Sequence, residues 1–144
     1  RKGVAADANA ALVTAIDIGE PSDIHPANKN DLGKRLAAAF DGRVMPMPDK
    51  AVREGGKVTV SFTGIAGALV VQGGPYPLGV ELCGMAAGSC QFVIARAEGN
   101  RLLIAVPDGM TPTRVRYAWA DAPVVNLVDG EGMPLPGFEL AIAQ

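Results

Sequence analysis

The single histidine of this chain, His25, stands in DIGEPSDIHPANK, residues 17–29. Neutral imidazole carries its proton on either ring nitrogen, so a histidine used as a general base needs a partner that fixes the tautomer. The same stretch offers three carboxylates that could serve as that partner, Asp17, Glu20 and Asp23. A histidine so held takes a proton from a nucleophile and later returns it to a leaving group. An acid near a histidine in a loop is also common where no chemistry occurs, so the surrounding elements decide how far the reading goes.

Upstream of the loop, ANAALVTAIDIG (residues 8–19) is an almost continuous apolar run. Such a run predicts a buried strand of a parallel sheet covered on both faces. The His25 loop would then lie beyond the carboxyl end of that strand, where α/β sheets bind ligands. Downstream, HPANKNDLGKRLAAAFDG places Leu32, Leu36 and Phe40 at i, i+4 and i+8, with Ala39 on the same stripe and Lys29, Lys34 and Arg35 elsewhere. That spacing predicts an amphipathic helix. It starts near Pro26 to Asn28, because proline is tolerated in a first turn, and ends at Asp41-Gly42, where glycine takes a left-handed cap. Asn28 and Lys29 read as helix-start and solvent residues, and Asp17 as a residue that fixes loop backbone. Residues 1–42 thus read as the end of an α/β domain.

From residue 43 to residue 144 the texture is all β. GGKVTVSFTG alternates Val58, Val60 and Phe62 with Lys57, Thr59 and Ser61, the period of a half-buried strand. GALVVQGG, LGVELCG, CQFVIARAEGN and RLLIAVPDG follow, each closed by glycine or a turn pair. TRVRYAWAD puts Val115, Tyr117 and Trp119 on one face, and VVNLVDGEG reads as the last short strand. Tyr117 and Trp119 are expected in the core, with a sugar-stacking platform as the other use of such aromatics. Arg116 is expected to pair with an acid or lie along the domain junction, and Asn126 to cap a turn. Many short strands with regular turns predict an antiparallel β-sandwich or barrel.

Composition narrows the functions. The chain has 144 residues, 49% hydrophobic and 19% charged, with a formal net charge of -2. It has no basic run, so nucleic acid is not an expected partner. No apolar stretch approaches the roughly 20 residues of a membrane span, so no membrane partner is expected. It opens on Arg1-Lys2-Gly3, which suggests a processing site or a cut within a longer polypeptide. The two cysteines, Cys83 and Cys90, cannot form a structural zinc site alone, and no cofactor is implied. Facing each other across a hairpin, they would close a small disulfide loop contributing roughly 2 to 3 kcal/mol, which points to a periplasmic or secreted protein. The other reading is two reduced, buried thiols.

Over a longer span, IDIGEPSDIHPANKNDLGKRLA resembles the closing segment of the catalytic domain of sialate O-acetylesterase-like enzymes, carbohydrate esterases of the SGNH-hydrolase type. VRYAWADAPVVNL followed by EGMPLPGFEL is similar to the C-terminal ending of the same family, and GVELCG with CQFVIARAEGNRLLI fits its β-rich tail. The resemblance covers most of residues 11 to 140. It implies an SGNH-hydrolase remnant (last strand, catalytic loop and helix, residues 1–42) followed by a β-sandwich-like domain (residues 43–144). It also implies removal of acetyl groups from sugars by a Ser-His-Asp mechanism. His25 would be the base, and Asp23 the favoured orienting acid, with Asp17 and Glu20 as lesser candidates. Family members commonly place that acid three residues before the histidine; here Ser22 holds that position and Asp23 lies two before.

The family's nucleophile string, of Gly-x-Ser-Asn type, is absent, as are its oxyanion-hole blocks. Ser22 is too close to His25 in sequence to be the usual partner, and Ser61 and Ser89 lie in the β region. The expected partner is therefore an upstream portion of the same enzyme carrying the serine, and the expected substrate is an acetylated carbohydrate such as sialic acid or a xylan or xyloglucan side chain. A non-catalytic β-sandwich for carbohydrate binding or domain packing is the alternative.

Overall fold

The computed structural model describes residues 2–144, beginning with a one-turn helix, α1 (Lys2–Ala5). Asn28 sets the start of the longer helix, α2 (Lys29–Phe40). Its side-chain oxygen accepts from the Asp31 amide at 3.2 Å, and its Nδ2 donates to Asp31 Oδ2 at 2.9 Å. A capping side chain satisfies a helix-end N–H that has no carbonyl partner. Asp41 closes the other end, and Gly42 follows at φ 89°.

The expected apolar stripe of α2 does not face this chain. Leu36 is 53% exposed and Phe40 93% exposed, while Arg35 is buried. Arg35 is drawn in by a bidentate pair with Asp17, both contacts at 2.7 Å, and by the Thr14 carbonyl at 3.0 Å. The helix is thus held to the preceding segment by a charged fork rather than by its leucines.

Residues 8–19 differ from expectation too. They form no strand, only an irregular segment leading into turns. A strand exists through its ladder, and no other part of the described chain offers this segment a ladder partner. Ile16 alone reaches in to pack on the β core.

The β region contains β1 (Met47–Glu54), β2 (Lys57–Thr63), β3 (Val70–Val71), β4 (Val80–Cys83), β5 (Gln91–Phe92), β6 (Ala95–Glu98), β7 (Arg101–Ala105), β8 (Arg114–Tyr117), β9 (Leu127–Val128) and β10 (Phe138–Ala143). Eight of them form one sheet in the order β5-β4-β8-β10-β1-β2-β7-β6, and β3 pairs with β9. The alternation read in β2 is real: Val58, Val60 and Phe62 are buried and Lys57 is exposed. Leu102 and Ile104 of β7 repeat it.

Two strands lie outside those the sequence pattern predicts, and they change the topology. β10 is a strand beyond VVNLVDGEG, and β1 precedes GGKVTVSFTG. β10 pairs antiparallel with β8 through Phe138 to Ala141, then parallel with β1 through Ile142 and Ala143. The domain is therefore mostly antiparallel with one parallel pair. By changing partner midway, β10 joins the two halves of the curled sheet into a sandwich-like layer pair. Phe138, at the start of β10, packs between the halves, with its ring centroid 5.6 Å from Phe62 and 5.7 Å from Tyr117. Val80, Leu82, Val115 and Tyr117 from one half meet Val58, Val60, Leu102 and Ile104 from the other.

β4 and β5 form the hairpin that carries the cysteines. Their register pairs Glu81 with Phe92 and Leu82 with Gln91, so Cys83 falls opposite Cys90. The two are joined in a disulfide with Cα atoms 4.0 Å apart. The closed loop is short, so the entropic contribution is modest, about 2.5 kcal/mol. Replacing both cysteines by alanine should lower unfolding free energy by about that amount. Denaturant titration of the oxidised and double-alanine chains measures it, and equal midpoints would show that the bridge contributes nothing.

Beside the bridge, Arg116 Nη1 contacts Cys90 Sγ at 3.1 Å and its Nε donates to Glu139 at 2.6 Å. The expected acid partner of Arg116 is thus Glu139. Those hydrogen bonds, from Arg116 first and Arg114 as well, hold the Glu139 carboxyl below its ordinary value. Asn126 braces a loop as expected: it accepts from Leu78 N and donates to the carbonyls of Gln72 and Tyr76.

Candidate active site

The loop between Asp17 and Asn28 is shaped by its own acids. Glu20 and Asp23 form an isolated antiparallel bridge, and the Glu20 side chain accepts from the Ala27 amide at 3.0 Å. These bonds pin both arms of the turn and push its tip outward. His25 sits on that tip with its side chain 83% exposed. Its backbone N–H donates to Asp23 Oδ1 at 2.7 Å, and the same oxygen stands 3.7 Å from His25 Nδ1. A hydrogen bond needs closer approach. Asp23 accepts from the neighbouring amide and stands nearest the ring.

The three candidate acids thus have different surroundings. Asp17 is committed to Arg35. Glu20 is committed to the Ala27 amide. Asp23 is the one whose carboxylate faces the imidazole, and it does so through Nδ1, which leaves Nε2 on the outer edge of the ring. Among the described residues, no serine is hydrogen-bonded to His25. Ser22 lies within the same loop, Ser61 lies within β2, and Ser89 Oγ donates to the Ala86 carbonyl at 2.5 Å.

The β domain supplies a second wall. A cleft of about 320 Å³ lies between Ile16, Gly19, Glu20 and Pro21 on one side and Asp121 and Val124 on the other. It shares Ala120 and Asp121 with a shallow hollow lined by Trp119. From the sequence alone, a sugar-stacking platform is only the alternative for Trp119, because the strand period sends that residue to the core. Val115 and Tyr117 are indeed buried, but Trp119 is 51% exposed. The strand ends at Tyr117, and Ala118 turns at φ 52°, which breaks the period-two alternation.

No family model matches the chain, and no curated protein matches it. Among solved structures it is similar to a carbohydrate acetylesterase from Xanthomonas citri, at 33% identity and a TM-score of 0.76 over 88% of this chain. The chain spans 31% of the length of that acetylesterase. In both fold and sequence, this chain is related to part of a carbohydrate esterase.

Proposed function

We propose that this chain is the C-terminal part of a carbohydrate O-acetylesterase whose nucleophilic serine lies on an upstream portion. The observation that carries the reading is the 33% identity to the Xanthomonas citri enzyme across 88% of the chain, the His25 loop being exposed rather than packed away. Two features support an upstream portion. Leu36 and Phe40 leave the apolar stripe of α2 uncovered, with Ile24 90% exposed in the His25 loop. Neighbouring exposed apolar side chains such as Leu36 and Phe40, one helical turn apart, mark surfaces that other protein covers. The apolar segment LVTAIDI also lacks strand neighbours within the described chain. The Cys83–Cys90 disulfide favours a periplasmic or secreted setting.

In this mechanism the serine hydroxyl attacks the acetyl carbonyl while His25 Nε2 takes its proton. The carbonyl electrons move to oxygen and return as the C–O bond to the sugar breaks. His25 gives the proton to the departing sugar alkoxide, which leaves as an alcohol. Water then attacks the acyl-serine, with His25 again as base, and releases acetate. Asp23 would hold Nδ1 protonated and stabilise the imidazolium formed in each half-reaction.

The 144-residue chain alone should show no hydrolysis of acetylated oligosaccharide or aryl acetate, and activity should appear with the upstream portion present. A release assay for acetate checks both. Saturable hydrolysis by the chain alone, abolished by a serine-directed inhibitor reacting at Ser22, Ser61 or Ser89, would overturn the reading.

A further inference from the structure

Trp119 is the only tryptophan in the chain. It is held outward rather than left loose. The Ala118 amide donates to the Gly79 carbonyl at 2.9 Å, which fixes the left-handed turn. Gly79 itself lies at φ 75°, and Gly137 packs so close that an added Cβ would meet the Ala118 carbonyl at 3.2 Å. Arg116 then stacks on the indole ring, its guanidinium carbon 4.9 Å from the centroid. Arg116 is itself anchored by Glu139. The ring therefore has one fixed backing and about half of its surface in solvent.

Beside the ring is a shallow hollow of about 360 Å³, bordered by Trp119, Asp121 and Gly137. It shares Ala120 and Asp121 with the deeper cleft walled by Glu20. Asp121 has no hydrogen-bond or ion-pair partner among the described residues, so its acceptors are available.

We propose that Trp119 and Asp121 of the β domain, with Glu20 of the His25 loop, form a subsite that binds a neutral sugar ring. A pyranose offers an apolar face of C–H bonds to an aromatic plane and hydroxyl donors around its rim. Trp119 matches the first; Asp121, and the Glu20 oxygen that the Ala27 amide does not engage, match the second. The sign of charge selects among sugars. Both ionisable groups lining the cleft are acidic, and the nearby cation, Arg116, is engaged by Glu139. A sugar bearing its own carboxylate would meet like charges in the cleft, whereas a neutral one would not. That the sugar is an acetylated substrate rests on the esterase reading above; the binding itself does not.

Emission from Trp119 reports occupancy directly, with no other indole to mask it. Titrating the full chain with acetylated xylo-oligosaccharide should give a saturable change in that emission and shifts in the amide signals of residues 119–121. Asp121→Ala, at an exposed position, should weaken the binding by about tenfold, the effect of losing a hydrogen bond to a charged group. N-acetylneuraminate, the acidic comparator, should bind more weakly than the neutral oligosaccharide. The proposal falls if neither emission nor amide signals saturate with the neutral sugar, if Asp121→Ala binds as tightly as the parent chain, or if the acidic sugar binds more tightly. None of these readouts depends on turnover, so a chain that binds sugar but gives no hydrolysis even with the upstream portion present would sink the esterase reading and leave the subsite standing.

Discussion

His25→Ala, made in the longer polypeptide that carries the serine, should lower kcat on an acetylated substrate by on the order of 10⁴-fold or more. The fold should survive, because the side chain is 83% exposed and its one close polar neighbour is Asp23. KM should change little, since the imidazole acts on the proton in flight rather than on the bound sugar. The acids separate by type of damage. Asp23→Asn keeps an oxygen for the His25 amide but removes the charge that stabilises an imidazolium, so kcat should fall while the melting temperature holds. Asp17→Asn attacks the bidentate pair with Arg35, so stability should fall first. Near-normal turnover of an aryl acetate by His25→Ala would reject its role. A severe kcat loss in Asp17→Asn at full stability, with Asp23→Asn mild, would move the orienting acid to Asp17.

The parts of the structure that are legible in the sequence are those decided locally. The limits of α2 follow from Asn28 and Gly42, whose preferences act within one turn. The β2 alternation and the Cys83–Cys90 hairpin are also short-range patterns. What stays hidden depends on pairing across the chain. β1 reads MPDKAVRE, with no alternation and a proline, and its register slips between Pro48 and Lys50. Its place at mid-sheet comes from β2 and β10, not from its own residues. Counting in twos sends Trp119 to the core, and that count holds only until a backbone turn such as Ala118 interrupts it. The candidate site shows the same division. His25 and three possible acids are visible within residues 17–29. The sorting of those acids depends on Arg35, which lies 18 residues from Asp17 and which the helical pattern groups with the solvent-facing cations.

Asp129→Ala should be among the most destabilising single changes in the chain, by roughly 3 to 5 kcal/mol. No motif marks this residue in the sequence, yet its side chain is fully buried. Oδ2 accepts from Arg43 Nη2 at 2.6 Å and from the Ala66 amide at 3.1 Å. Oδ1 accepts from the amides of Glu131 and Met133 at 3.0 and 2.9 Å. One carboxylate thus satisfies three backbone donors and one guanidinium from three separate places in the chain. Arg43 follows α2 closely, so the pair ties the helix and the His25 loop before it to the β domain. The loops it joins are also tightly apposed: a Cβ at Gly130 would lie 2.7 Å from the Ala66 carbonyl. Alanine would leave these part-buried donors without acceptors and Arg43 with only the exposed carboxylate of Glu131. Donors left unpaired away from water, and a pair broken at its buried end, are each costly. Denaturant unfolding followed by Trp119 emission measures the loss. Arg43→Met with Asp129 intact should be less damaging, because the three amides keep their acceptor. The double variant should then fall short of the sum of the two. A loss under about 1 kcal/mol for Asp129→Ala, the range of an ordinary surface pair, would mean that this carboxylate does not organise the junction.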